Sequence, residues 1–173
     1  MFLFGITALV SCQSVSYSKM KIQKGAERME YIHVPGMPTD GVLADIAGLY
    51  RTIFQTEEDL TKDLETKRNL VTFAALANDQ VVGFKMGYDR KEGHFYSWLG
   101  GVEKGFREQG IASELIRRQH SWCRQNGYRT IRTHTKNKWK DMLILNLRHG
   151  FDVIGTYTDD KGEPKIILER VVK

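Results

Sequence analysis

The hexapeptide Arg107-Glu108-Gln109-Gly110-Ile111-Ala112 lies where a strand-like run, "HFYSWLGGV", gives way to an amphipathic helical pattern. No Ser, Thr, Asp or Asn stands immediately before that pattern to cap it. Helix N-termini leave backbone N–H groups unpaired, and a glycine start behind a basic loop keeps those donors free for an anion. The chemistry implied is capture of a phosphate-like group by consecutive backbone amides, aided by the helix dipole. Gly110 would let the backbone approach the anion where a Cβ would intrude, and Arg107 either adds a charge-assisted contact or braces the loop. Beside this stands the bland reading, in which Gly100, Gly101, Gly105 and Gly110 are ordinary loop glycines and Arg107 is solvated.

Familiar anion loops do not fit. Gly105 and Gly110 have the spacing of a nucleoside-triphosphate P-loop, but Ile111-Ala112 stands where Lys and Ser or Thr would be required. The dinucleotide pattern G-x-G-x-x-G is absent as well. His33, His94, His120, His134 and His149 lack the short mutual spacings of metal ligands, so no metal site is expected. Cys12 and Cys123 show no pairing logic, which fits reduced thiols in a cytoplasmic protein better than a disulfide. Cys123, three turns along the helix from the proposed anion, is expected to be buried and inert.

The elements that must position the loop follow from periodicity. "MEYIHV" reads as a strand, and Asp40 is expected to cap a helix carrying Leu43, Ile46, Leu49, Tyr50 and Ile53 at helical spacing. Thr56, with Asp59 three residues on, is expected to start a second helix running to about Lys67. "LVTFAAL" and "VVGFKMGY" read as a hairpin, and "HFYSWLGGV" completes a meander. A long helix over residues 110–126, stopped by Gly127, is followed by strand "TIRTHT", helix "WKDMLILNLRH" ended by Gly150, and strands "FDVIGTY" and "KIILER". Strands on both sides of the long helix require a crossover and some parallel pairing. The fold class is α/β: a mixed sheet of six to seven strands flanked by about four helices.

The chain of 173 residues, 41% apolar, suffices for one compact domain. Its opening, "MFLFGITALVSC", looks like a signal-peptide core without the positive n-region, and no other run is long and apolar enough for a membrane helix. Lys24-Gly25-Ala26 can be encoded by a purine-rich, bacterial-type ribosome-binding sequence a short distance before Met29. Residues 1–28 are therefore read as upstream sequence, and 29–173 as the domain. That stretch carries Lys19, Lys21, Lys24 and Arg28 against Glu27, so without it the formal net charge falls from +5 to +2. The remaining basic residues, among them Arg124, Arg129, Arg132, Lys136, Lys138 and Lys140, span several elements without an aromatic platform. Neither nucleic acid nor membrane is an expected partner.

Arg107-Glu108-Gln109-Gly110-Ile111-Ala112 resembles the R-x-x-G-x-G/A signature of the GNAT N-acetyltransferase superfamily, which joins that family's fourth strand to its central helix. The element order from about Met29 to Arg170 is similar too, and Met142, Asn146, Gly150 and Phe151 look like the family's second, helix-to-strand motif. The resemblance implies direct transfer of an acetyl group from acetyl-coenzyme A to a primary amine of a small molecule or peptide, without a metal. It implies that Arg107, Glu108, Gln109, Gly110, Ile111, Ala112 and Ser113 hold the pyrophosphate. It further implies that Leu99, Gly100, Gly101 and Val102 form a bulged strand against which the pantetheine arm pairs, a backbone N–H there serving the oxyanion. Asn146 is read either as a cofactor contact or as a satisfied core amide.

Two departures affect catalysis. Many members place Tyr where this chain has Asn146, as the acid for the leaving thiolate, and no Asp or Glu lies within residues 95–102, where a family base often sits. Glu103, Tyr96 acting through water, and Tyr157 remain as catalytic candidates. Trp98, Trp122 and Trp139 read as core rather than as a substrate platform, the alternative that Trp98 on the cofactor strand and Trp139 at the start of the last helix keep open. Glu57, Glu58 and Asp59 suit a cationic amine or simply a helix start. The alternative function is a non-catalytic acyl-coenzyme A or protein-interaction module on the same fold, and a homodimer is a further expectation.

Overall fold

Alternating apolar residues in the strands and 3.6-periodic apolar stripes in the helices commit this chain to a sheet covered on both faces. A computed structural model describes residues 29–172. The reading of residues 1–28, Cys12 included, lies outside them. Strands β1 (Met29–Pro35), β2 (Val71–Ala77), β3 (Gln80–Lys91), β4 (His94–Val102), β5 (Thr130–Lys136), β6 (Asp152–Thr158) and β7 (Pro164–Val171) form one sheet in the order β1-β2-β3-β4-β5-β7-β6. Every neighbouring pair is antiparallel except β4 with β5. The helices are α1 (Asp40–Phe54), α2 (Leu60–Glu65), α3 (Ile111–Gln125) and α4 (Lys140–Arg148). Seven strands and four helices match the architecture expected above.

One face of the sheet packs Phe73, Phe95, Ile131 and Leu168 against Ile111, Leu115 and Cys123 of α3. The other packs Phe84 and Met86 against Ile46 and Tyr50 of α1 and Leu60 and Leu64 of α2. The β2–β3 turn has Asn78 and Asp79 both at positive φ, 50° and 64°, which matches the right-handed strand twist.

Both early helix starts differ from expectation. Thr39, not Asp40, occupies the cap position of α1: its backbone is extended and its carbonyl accepts from Leu43, while Asp40 sits in the first turn near the positive helix end. Asp59, not Thr56, caps α2, its Oδ1 accepting from Thr61 N–H at 2.9 Å. The Thr56 hydroxyl is used by Glu58 N–H in a preceding turn, and α2 ends at Glu65 rather than Lys67.

The sheet opens at one place. β4 and β5 are paired only from His94–Thr130 to Tyr96–Arg132, and beyond Tyr96 the strands part. The bulge in β4 is at Trp98, because Ser97 opposes Gly87 and Leu99 opposes Met86, leaving Trp98 unpaired between them. It therefore precedes the glycines instead of lying among them. Gly100 and Gly101 keep regular register with Lys85 and Phe84. Gly101 serves close packing: a Cβ there would lie 2.6 Å from Ile53 Cδ1 of α1.

Candidate active site

The loop after β4 starts from local backbone chemistry. A 3-10 turn, Lys104–Phe106, follows Val102, and Arg107 folds back so that its Nε donates to the Val102 carbonyl at 3.1 Å. Arg107 thus braces the loop. Gly110 occupies the cap position of α3 at φ +82°, a region that L side chains rarely adopt, and no side chain caps this helix. A Cβ at Gly110 would meet no atom of the described residues within 4 Å, so the backbone conformation, not crowding among them, requires glycine. The first helical bond runs from Glu114 N–H to the Gly110 carbonyl. The amides of Ile111, Ala112 and Ser113 therefore emerge at the helix end, with Glu108 and Gln109 exposed beside them. The Ser113 hydroxyl lies 3.0 Å from His149 Nε2, tying the first turn of α3 to the end of α4.

From this loop a narrow slot runs between β4, α3 and α4. Gly100, Gly101 and Val102 form one wall, Ala112, Leu115 and Ile116 another, and Met142 and Leu145 the third, with Phe84 and Lys85 behind. Asn146 on α4 is 2% exposed, and its Oδ1 has no hydrogen-bond partner among the described residues. It is therefore not a satisfied core amide. A buried, unmet acceptor on α4 is what a ligand N–H would complete.

The catalytic candidates separate. Glu103 is exposed on the loop beyond the far end of β4, about 23 Å along the chain from Tyr96 at strand rise. It does not join the tyrosines. Tyr96 and Tyr157 do converge, through a residue the sequence reading passed over: His134. The His134 ring lies 5.2 Å from that of Tyr96 and 5.4 Å from that of Tyr157, and its Nδ1 is 3.3 Å from the Tyr157 hydroxyl. Burial, then Arg90, Arg132 and Lys165, hold its imidazole below the usual histidine range, so it is neutral at pH 7. Burial, then Tyr88 and Tyr157, pushes the Tyr96 phenol up, which removes it as a base near neutrality. One signal was present in the sequence: alternation along "TIRTHT" puts His134 on the face of Arg132, two residues past the point where β5 leaves β4.

Tyr88 joins this cluster, edge-on to Tyr96 at 5.4 Å. Trp98 lies under Lys67 Nζ at 4.8 Å and edge-on to Tyr88, while Trp139 meets Phe54 edge-on at 5.7 Å. Trp122 packs with Phe95 and Tyr128 in the α3 core, and burial raises the buried Cys123 thiol. Glu58 accepts from the Tyr50 hydroxyl, and Asp59 is spent on its cap. Among the described residues no group of His, Cys, Asp and Glu is placed to hold a metal, and no helix is long and apolar enough to cross a membrane.

The sequence profile of the Acetyltransferase (GNAT) family matches residues 42–151. Among solved structures, an aminoglycoside 6'-acetyltransferase type Ii superposes with TM-score 0.70 at 17% identity, covering 82% of this chain and 97% of its own. A GNAT-family protein from Desulfovibrio desulfuricans gives 0.69 at 18%, covering 84% and 100%. A chain of the NatC complex bound to Gag peptide and CoA gives 0.68 at 16%, covering 83% and 99%. No curated protein sequence matches the chain.

Proposed function

Because the chain belongs to the GNAT acetyltransferase family, we propose that it moves an acetyl group from acetyl-coenzyme A to a primary amine of a small molecule or peptide. The observation that carries this is the opening in the sheet: β4 leaves β5 after Tyr96, and its free edge leads to a helix end with uncapped amides. An extended amide-bearing arm can pair with that edge as a strand would, its pyrophosphate reaching the N–H groups of residues 109–113. The unmet Oδ1 of Asn146 fits an N–H of the same arm. Backbone N–H groups of residues 99–102 are the oxyanion donors. Acetyl-coenzyme A supplies an activated thioester; the chain aligns it and manages protons.

The acceptor enters from the face that carries Tyr96, His134 and Tyr157. With Nδ1–H donated to the Tyr157 oxygen, His134 Nε2 keeps its lone pair and takes the proton from the attacking nitrogen. Two of the similar structures are named for an aminoglycoside and for a bound Gag peptide, so both acceptor classes remain in the proposal. The proposed location is the cytoplasm, which suits the free thiol of Cys123. Acetyl-coenzyme A consumption measured across polyamines, aminoglycosides, amino acids and peptides tests the reading. Turnover on one class supports it, whereas tight coenzyme A binding with no turnover on any amine would leave only the binding-module alternative.

A further inference from the structure

Asn146 leaves a chemical gap, because an amide cannot protonate a departing thiolate. The geometry points to Lys85 as the residue that does so, an inference that rests on acetyl-coenzyme A occupying the slot between β4, α3 and α4. Lys85 lies on β3 opposite Gly100, a wall of that slot, and itself lines it. Only 7% of the residue is exposed, and it makes no hydrogen bond or ion pair among the described residues. The titratable groups on which it acts or that act on it are His120 and Cys123 on α3 and His149 just after α4. None of these supplies a negative charge near neutrality: burial lowers His120 to about 3 and raises the Cys123 thiol, His149 sits below its usual range, and Asp89, which acts on Cys123 from further along β3, accepts instead from Tyr128 and Asn69.

A buried ammonium without a counter-ion is costly, and an anion arriving beside it relieves that cost. The anion the reaction creates in this slot is the coenzyme A thiolate. Burial brings Lys85 down to about 8, so at neutral pH it is mostly protonated yet able to give the proton up. As the carbon–sulfur bond breaks, its electron pair goes to sulfur and one proton passes from Lys85 Nζ to that sulfur. The products are the free thiol and a neutral amine. His134 removes one proton from the acceptor nitrogen on the other face and releases it to solvent, and solvent returns one to Lys85, so the overall reaction yields only amide and thiol.

The same pair must form with the product, which needs no acceptor to observe. The ultraviolet absorbance of the thiolate is titrated in the complex of the protein with coenzyme A. In the wild type the bound thiol should ionise about one pH unit or more below free coenzyme A, a tenfold stabilisation of thiolate. In Lys85→Met that advantage should disappear while coenzyme A still binds by calorimetry. Equal titration in wild type and Lys85→Met would overturn the assignment. So would a wild-type complex whose thiol ionises no earlier than free coenzyme A, a result that needs no variant. Absence of coenzyme A binding to the wild type would instead overturn the acetyl-transfer reading on which the assignment rests.

Discussion

The Tyr157 hydroxyl reaches across β7 to within 3.3 Å of Nδ1 of His134, so β6 orients an imidazole on β5 at the point where β5 has left β4. Tyr96 closes the other side of the ring edge-on. His134→Gln should lower kcat by roughly a hundredfold or more, the range for loss of a positioned base. Since burial and three cations hold the imidazole below its usual range, the active neutral form should persist somewhat below pH 6.5 and activity should fall only beyond that. That acid limb should vanish in the variant; its survival would assign the base elsewhere.

Gly110→Asp brings two costs at once. The +82° φ strains any L residue, by about 1 kcal/mol, and the open space around the missing Cβ is where a pyrophosphate would lie. Coenzyme A affinity should fall tenfold or more, about 1.4 kcal/mol, in calorimetry, with far-ultraviolet circular dichroism unchanged. Undiminished affinity would remove the pyrophosphate from this loop.

Asn146→Ala deletes an acceptor that no group among the described residues satisfies. Coenzyme A should bind weaker by about 1 kcal/mol, the worth of one neutral hydrogen bond, while the free protein loses little in Tm. If turnover vanished with affinity intact, Asn146 would have to act on the acceptor or on a catalytic water.

Lys85→Met should make the free protein more stable at pH 7, by about 3 kcal/mol from a lysine held near 8 instead of 10.5. The sign follows from proton binding: between about 8 and 10.5 the unfolded chain holds the proton more than the folded one, so wild-type stability rises with pH there. Below 8 the full penalty is present. The variant's advantage should accordingly shrink above pH 8 in urea titrations, and an advantage constant with pH would contradict a charged Lys85 in the core.

His120 works in the opposite window. Burial keeps it neutral in the fold down to about 3, whereas the unfolded chain protonates near 6.5. Stability should therefore drop as pH falls below 6.5, by about 2 kcal/mol by pH 5 from this residue, and His120→Gln should flatten that part of the urea-midpoint profile.

Much of the fold was legible because its signals are local. Alternation in "TIRTHT", glycines at helix ends and the Asn78-Asp79 turn depend on neighbours in the chain, and the structure has those elements within a residue or two. The cap positions failed by one to three residues because Thr39 or Asp40, and Thr56 or Asp59, satisfy the same composition rule. Only backbone geometry chooses between them. The uncapped glycine start of α3 was readable for the same local reason.

What sequence alone determined, then, is the element order, the crossover and the loop that leaves amides free at Gly110. Tertiary structure decided which side chains meet. Glu103 is seven residues from Tyr96 yet far from it along an extended strand, while His134, 38 residues away, packs against its ring. Lys85 looks in sequence like a polar residue in a strand; its burial without a partner among the described residues follows from α3 and α4 closing over one face of the sheet. Desolvation and cross-strand contact depend on that closure, and no spacing along a chain records them.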